Sequence, residues 1–113
     1  MELTPGTVVW ADFGDAVGRE QAGRRPAIVV STLPHLKGAD TLVTLIPCTT
    51  RAREWPNHVP VAGRTALTEP TFAMTEQIRT VSRERVHGVR GYVSPDCLAL
   101  ITRWIRAWHL PAA

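Results

Sequence analysis

Short apolar runs alternate with turn residues along the first 93 positions of the chain. Runs of this length that are rich in β-branched residues and bounded by Gly or Pro predict β-strands. They lie at 7–13, 27–31, 41–46, 58–61, 72–74, 78–81 and 86–93. We therefore expect six or seven strands, and Pro60 indicates that one of them is an edge strand.

From position 94 onward the pattern changes to that of a single helix. The segment 94–96, Ser-Pro-Asp, is a typical helix start, with a capping hydroxyl, a proline and an acid in the first turn. Apolar side chains then share one helical face at Cys97, Ile101, Trp104, Ile105 and Trp108. We expect the helix to end near 110–111 and to pack on a curled, mostly antiparallel sheet, which gives a mainly β fold, a small open barrel with a C-terminal α-helix.

The length of the chain predicts one domain, and its composition is compatible with phosphate binding. The 113 residues, 44% of them hydrophobic, suffice for one core, and we interpret 1–113 as a single domain. The net charge is +3, and all the basic residues except Lys37 are arginine, the side chain best suited to phosphate recognition. Cys48 and Cys97 fit neither a disulfide framework nor a zinc site. Without a leader-like or membrane-spanning stretch, these features favour a cytoplasmic protein that does not contact membranes.

The segment 20–26, Glu-Gln-Ala-Gly-Arg-Arg-Pro, is the strongest candidate for chemistry. Arg24 and Arg25 offer planar, charge-assisted donors that suit a phosphodiester, and the apolar run 27–31 would hold them in place. A solvated surface loop is the alternative interpretation. Thr49 and Thr50 follow the third apolar run, where hydroxyl groups can emerge at the rim of a barrel.

Several blocks of the chain resemble MazF/PemK toxins. The strings Val-Trp-Ala-Asp-Phe at 9–13 and Glu-Gln-Ala-Gly-Arg-Arg-Pro-Ala-Ile-Val-Val-Ser at 20–31 are similar to the first two strands of that family. Pro-Cys-Thr-Thr at 47–50, Glu-Gln-Ile-Arg-Thr at 76–80 and the Ser-Pro helix start follow in the same order. The resemblance implies an SH3-like barrel of the PemK/CcdB type. It also implies a dimeric toxin that cuts single-stranded RNA without a metal and is neutralised by an antitoxin.

The resemblance also implies roles for particular residues. Arg25 matches the family's catalytic arginine and Thr49 its catalytic threonine, while Glu20 could orient Arg25 or act as the base. Such cleavage needs no cofactor, because the ribose 2′-OH attacks the phosphate and leaves a 2′,3′-cyclic phosphate and a 5′-OH end. We expect the remaining RNA contacts from Arg24, Gln21, Thr50, Arg51, Arg53, Glu76, Gln77 and Arg79.

One departure from the family pattern concerns the segment before Glu76. Some PemK-type members carry an Asp proposed as the base at the position of Glu76, with an Arg two residues earlier, where this chain has Met74. We therefore assign catalysis to Arg25 and Thr49, and we expect Glu76 and Gln77 to form hydrogen bonds with base edges. The four histidines fall in no matched block, and we expect surface or structural roles for them. For Trp10 and Phe13 we favour core packing over base stacking.

Other functions remain open at this point. A non-enzymatic inhibitor of a topoisomerase, similar to CcdB, could use the same barrel, and a silent RNA-binding module is a third possibility. The expected partners of the toxin are single-stranded RNA, a second copy of the chain and a cognate MazE-like antitoxin. Operator DNA would be reached only through that antitoxin.

Overall fold

The computed structural model describes residues 2–14, 18 and 23–112, and within these it contains eight strands and two α-helices. The elements in chain order are β1 Thr7–Asp12, β2 Arg24–Val29, α1 Leu33–Gly38, β3 Leu42–Thr49, β4 His58–Pro60, β5 Gly63–Thr65, β6 Phe72–Met74, β7 Arg79–Ser82, β8 Val86–Val93 and α2 Pro95–His109. Short 3-10 turns cover Thr75–Gln77 and Arg83–Arg85. The expected mainly β fold with a C-terminal helix is confirmed.

The strands form one antiparallel sheet in the order β4-β6-β3-β2-β1-β8-β5. On the side of β3 away from β2, β7 pairs with its first half and β6 with its last two residues. Strand β3 therefore pairs with three other strands, and its last two residues pair with β6. Strand β4 lies at the margin of the sheet, as Pro60 predicted.

The two faces of the sheet bury two separate cores. Alternate residues of a strand point to opposite faces. In β3, Val43 and Leu45 belong to one core, whereas Ile46 and Cys48 belong to the other. Leu36 of α1 packs into the first core, and Ile101 of α2 packs into the second. Each face is thus covered by a helix, and the alternation in β3 determines which of its side chains meets which helix.

The terminal helix begins as predicted and packs with most of its expected face. The Ser94 hydroxyl accepts a hydrogen bond from the Cys97 amide at 3.2 Å, which caps the first turn. Cys97 and Ile101 are buried, and Trp104 and Ile105 pack partly against the same core. Trp108 is the exception: its side chain is 51% exposed and contacts the Trp104 ring edge-on at 5.7 Å between centroids. Trp108 therefore does not pack on the sheet with the rest of the helical face, and a dimer contact is the other role that we expect for it.

Two elements were not predicted. Helix α1 occupies a stretch interpreted as loop, and the Thr32 hydroxyl caps it by accepting from the His35 amide at 3.3 Å. Strand β5 has no apolar alternation and is held by pairing with β8. That pairing is very close, since a Cβ on Gly91 would lie 2.1 Å from the Arg64 carbonyl oxygen. A glycine is therefore required there, and backbone pairing forms this strand without a side-chain pattern.

In the part of the chain that the structure describes, no helix is long and apolar enough to cross a membrane.

Candidate functional site

Arg25 and Thr49 are brought together by the register of β2 and β3. Ala27 pairs with Pro47 and Ile28 with Ile46, so continuing the register by two residues sets Arg25 opposite Thr49. Alternate residues of a strand share a face, and the odd-numbered Ala27 of β2 and Leu45 of β3 lie in the same core. The odd-numbered Arg25 and Thr49 therefore lie on that face of the sheet as well. The Arg25 Nη1 group donates to the Cys48 carbonyl oxygen at 3.0 Å, which holds the guanidinium at the end of β3.

The electrostatic environment of Arg25 contains a second cation. Arg25 is half-buried, and this burial lowers the pKa of its guanidinium from the ordinary value. The positive charge of Arg53 lowers that pKa further, to a smaller extent. Since arginine loses its proton only far above neutral pH, Arg25 remains charged there. The site therefore concentrates positive charge at the end of β3.

Thr49 and Thr50 mark the point where the chain leaves the sheet. The half-buried Thr49 hydroxyl accepts a hydrogen bond from the Arg51 amide at 3.1 Å, which fixes the first turn of the following loop. A hydroxyl can accept and donate at the same time, so the Thr49 O–H group remains able to donate to a ligand. Thr50 is exposed and lines a separate cavity of about 200 Å³ together with Trp10 and Arg90.

The two aromatic residues of the first strand block differ in burial. Phe13 is 2% exposed and belongs to the core, as expected. Trp10 is only half-buried, and the Arg90 guanidinium lies 5.4 Å from the centroid of its ring. The expectation that Trp10 packs in the core is wrong, because the even-numbered positions of β1 face outward at this end of the sheet.

The remaining predicted arginines occupy different surroundings. Arg24 is exposed, and as the neighbour of Arg25 in a strand it points to the opposite face. Arg51 is also exposed, whereas Arg53 is half-buried with its guanidinium 5.5 Å from the centroid of the Trp55 ring. Arg79 pairs with Leu45 in the sheet, and its guanidinium lies 5.4 Å from the Phe13 ring.

Glu76 is held from within the protein. Its carboxylate accepts a hydrogen bond from Asn57 Nδ2 at 3.0 Å, and His58 Nε2 lies 3.0 Å from each of its oxygens. The His58 side chain is only 2% exposed. Gln77, at the end of the same 3-10 turn, is half-buried. The structure therefore sets Glu76 in a buried polar cluster beside the β3–β4 loop.

Two predicted residues, Glu20 and Gln21, lie outside the described residues. Sequence reasoning gave no role to Trp55 and Asn57, because a polar loop has no periodicity to interpret, whereas the burial of His58 beside Glu76 agrees with the structural role expected of it. The local string Trp-Pro-Asn-His, which brings aromatic, amide and imidazole groups together in a polar loop, was the available signal. Among residues 2–14, 18 and 23–112, no group of His, Cys, Asp and Glu side chains is arranged to hold a metal ion.

Comparison with known proteins places the chain in a family. Residues 4–109 match the family described as PemK-like, MazF-like toxin of type II toxin-antitoxin system. The chain is 35% identical over 98 residues to the endoribonuclease toxin MazF of Escherichia coli K12, and the alignment covers 85% of this chain and 84% of that protein.

Solved structures show the same fold. The crystal structure of MazF from Deinococcus radiodurans has a TM-score of 0.81 and 26% identity, covering 93% of this chain and 94% of that one. A MazE-MazF structure from the same organism gives a TM-score of 0.74 with 26% identity and 93% coverage of both chains. With a match that spans nearly all of its length, the chain belongs to the family of PemK-like, MazF-like toxins of type II toxin-antitoxin systems.

Proposed function

We propose that this protein is a sequence-specific, metal-independent endoribonuclease toxin that cleaves single-stranded RNA and so inhibits translation and growth. The observation that carries the proposal is the hydrogen bond from the Arg25 guanidinium to the Cys48 carbonyl oxygen, next to Thr49 at the end of β3, with the positive charge of Arg53 acting on Arg25. The relationship to the endoribonuclease toxin MazF of E. coli supports the same activity.

The chemistry follows from the two side chains. Attack by the ribose 2′-OH places extra negative charge on the phosphate oxygens, which a fixed guanidinium stabilises. Arg25 is fixed in this way by its hydrogen bond to the Cys48 carbonyl oxygen at 3.0 Å. The Thr49 hydroxyl donates to the same phosphate, and the products are a 2′,3′-cyclic phosphate and a 5′-OH end. Glu20 remains the proposed orienting group for Arg25 or the base.

The RNA contacts divide between phosphates and bases. Arginine side chains contact the backbone on both sides of the scissile phosphate, and Gln21, Thr50 and Gln77 meet base edges. The proposed phosphate contacts are Arg24, Arg51, Arg53 and Arg79. Reading of a base by Glu76 would compete with the hydrogen bonds that its carboxylate already accepts from Asn57 and His58.

We propose that the active form is a homodimer, controlled by a MazE-like antitoxin and reaching operator DNA only through it. Leu100, Trp108 and Leu110 expose apolar surface along and just beyond α2, which a second copy could cover. The MazE-MazF structure from D. radiodurans supports the antitoxin as a partner. Light scattering at micromolar concentration tests the dimer, and a monomer there would count against it. We place the activity in the cytoplasm, where the RNA substrate is.

The function is tested by incubating the purified protein with defined single-stranded RNA, with and without EDTA, and sequencing the 5′-OH ends. We expect discrete cuts that EDTA does not prevent and that Arg25→Ala removes. Loss of cleavage in EDTA, or full cleavage by Arg25→Ala, would contradict the mechanism. A DNA-supercoiling assay on the same sample distinguishes a topoisomerase inhibitor of the CcdB kind, and an RNA mobility shift without product would indicate a silent binding module.

A further inference from the structure

The loop between β3 and β4, residues 50–57, holds a conformation that its own backbone disfavours. Glu54 has a φ of 60°, which lies in the left-handed region that residues other than Gly and Asn rarely adopt. Such a conformation persists only where the surrounding structure enforces it. The loop carries Arg51 and Arg53, so the contacts that hold it also determine where these cations lie.

Four side chains hold the loop, and we call them the loop anchor: Trp55, Asn57, His58 and Glu76. At its inner end the anchor holds the half-buried carboxylate of Glu76, which the buried His58 Nε2 and Asn57 Nδ2 contact at 3.0 Å. The Trp55 ring packs on the His58 ring with 4.8 Å between centroids. His58 is almost fully buried, whereas Trp55 is 42% exposed. The anchor therefore links the β4–β6 margin of the sheet to the surface of the loop.

The loop anchor ends at Arg53. The Arg53 guanidinium lies 5.5 Å from the Trp55 ring centroid, within the range of a cation–π contact. Arg53 lies on the loop that leaves β3 after Thr49, next to the Cys48 carbonyl oxygen that Arg25 binds at 3.0 Å, and its positive charge acts on Arg25. Two like charges held close together repel, and an anion bound between them relieves that repulsion. The pair is therefore better suited to a bound phosphate than to the free protein.

We propose that Glu76 is a positioning residue that fixes His58 and, through it, the loop 50–57, so that Arg53 supplies a second cation to RNA bound at Arg25. This inference rests on the proposed function. It gives Glu76 a role distinct from base reading and from proton transfer. Both oxygens of its carboxylate already receive hydrogen bonds from the protein, which is what a supporting group requires.

The experiment measures kcat/KM on a defined single-stranded RNA at several salt concentrations. Each lost phosphate contact should reduce the slope of log kcat/KM against log salt by about 0.7. We expect Arg53→Ala, Trp55→Ala and Glu76→Ala each to lose about tenfold in kcat/KM, mostly through KM, with the same reduction of slope. The double variant Arg53→Ala/Trp55→Ala should be no worse than either single variant, because both remove one contact.

Arg51→Ala is the matched control. Arg51 lies in the same loop but is exposed and outside the loop anchor. In a double variant, the fold loss of kcat/KM from Arg51→Ala should therefore multiply with the fold loss from Trp55→Ala. Trp55→Ala removes only a peripheral ring and leaves the His58–Glu76 contact in place, so it keeps the test informative if variants of Glu76 fail to fold.

Glu76→Gln separates the possible roles of this residue. The amide keeps the shape and still accepts a hydrogen bond, so a positioning role predicts a loss within about threefold. A general base predicts a fall in kcat of about a hundredfold or more, and a base reader predicts new cut sites among the 5′-OH ends. Either result would overturn the inference, as would multiplying effects of Arg53→Ala and Trp55→Ala. If the wild-type protein cuts RNA and these effects multiply, only this inference fails. If it cuts no RNA, the proposed function fails.

Discussion

Arg25 and Arg53 both bring a guanidinium to the candidate site, but the protein holds them by different means. Arg25 belongs to β2, pairs with Ala11 of β1 and donates to the end of β3. Arg53 belongs to a loop, and its guanidinium lies over the Trp55 ring, which packs at a tilt of 59° on the His58 ring. A sheet position follows from register along whole strands, whereas a loop position follows from a few side chains distant in sequence.

The difference implies different sensitivities to change. Displacing Arg25 would require disruption of three paired strands, while displacing Arg53 requires the loss of one ring contact. Local opening of the β3–β4 loop should therefore occur far more readily than opening of β2. The strand-held cation is suited to the chemical step, which needs fixed geometry, and the loop-held cation to binding of the flexible RNA chain.

The largest expected effect is that of Arg25→Ala. Loss of a fixed cation from the transition state should lower kcat by about 100- to 1,000-fold with a smaller change in KM. Arg25→Lys should recover only part of the rate, because a lysine lacks the planar fork of donors. Single-turnover cleavage measures the effect, with circular dichroism as the control for folding. An Arg25→Ala variant as active as Arg53→Ala would remove the distinction between the two cations.

The next effect is that of Thr49→Val, which keeps the β-branched shape and removes the hydroxyl. We expect kcat to fall by about tenfold to a hundredfold, since one hydrogen bond to a charged phosphate is lost. The loop loses the bond from the Arg51 amide as well. Thr49→Ser retains the hydroxyl and should stay within about threefold of the wild type. Equal activity of the Val and Ser variants would show that the hydroxyl takes no part in cleavage.

The pH dependence of stability should report on the surroundings of Arg25, the cation held by the strands. Burial raises the pKa of the Cys48 thiol, at the same residue whose carbonyl oxygen binds Arg25. The unfolded thiol ionises above about pH 8.5. Above that pH the unfolded state loses a proton that the folded state retains, so stability should fall by about 1.4 kcal/mol per pH unit. Below that pH this contribution is constant.

Urea unfolding at pH 7.5, 8.5 and 9.5 under reducing conditions measures this dependence. The Cys48→Ala variant should be less stable at every pH because it leaves a cavity, but its stability should decline less steeply above about pH 8.5. Parallel declines of the two proteins would mean that the folded thiol ionises as readily as the unfolded one.

The smallest expected effect is that of Arg24→Ala. Arg24 is exposed and faces away from Arg25, so it can contact only a more distant phosphate. We expect KM to rise about threefold, kcat to stay unchanged and the salt slope to fall by about 0.7. Steady-state kinetics at two salt concentrations measures both. A large loss of kcat would show that the two neighbouring arginines share one phosphate.

The sequence was sufficient to predict the strands of the core and the terminal helix. The apolar runs around Val8, Ile28 and Ile46 are long enough to dictate strands, and the Ser94 cap marks the helix start. It was insufficient for β5, which has no apolar side chain and exists through pairing with β8. It was also insufficient for Trp108, because a helical face that is apolar throughout does not reveal where the sheet beneath it ends.

The candidate site divides in the same way. The sequence by itself predicted Arg25 and Thr49 as partners, because each lies next to the end of a clear apolar run and both match one family. Only the tertiary structure decided the surroundings of Arg53 and Glu76. Residues 53 to 58 lead into β4, and β5 and β6 follow before residue 76, so no periodicity connects the two segments. Their contact follows from the pairing of β4 with β6, which sets His58 opposite Met74, two residues before Glu76. Local patterns specify which residues form strands, and the folded sheet specifies which loop side chains meet.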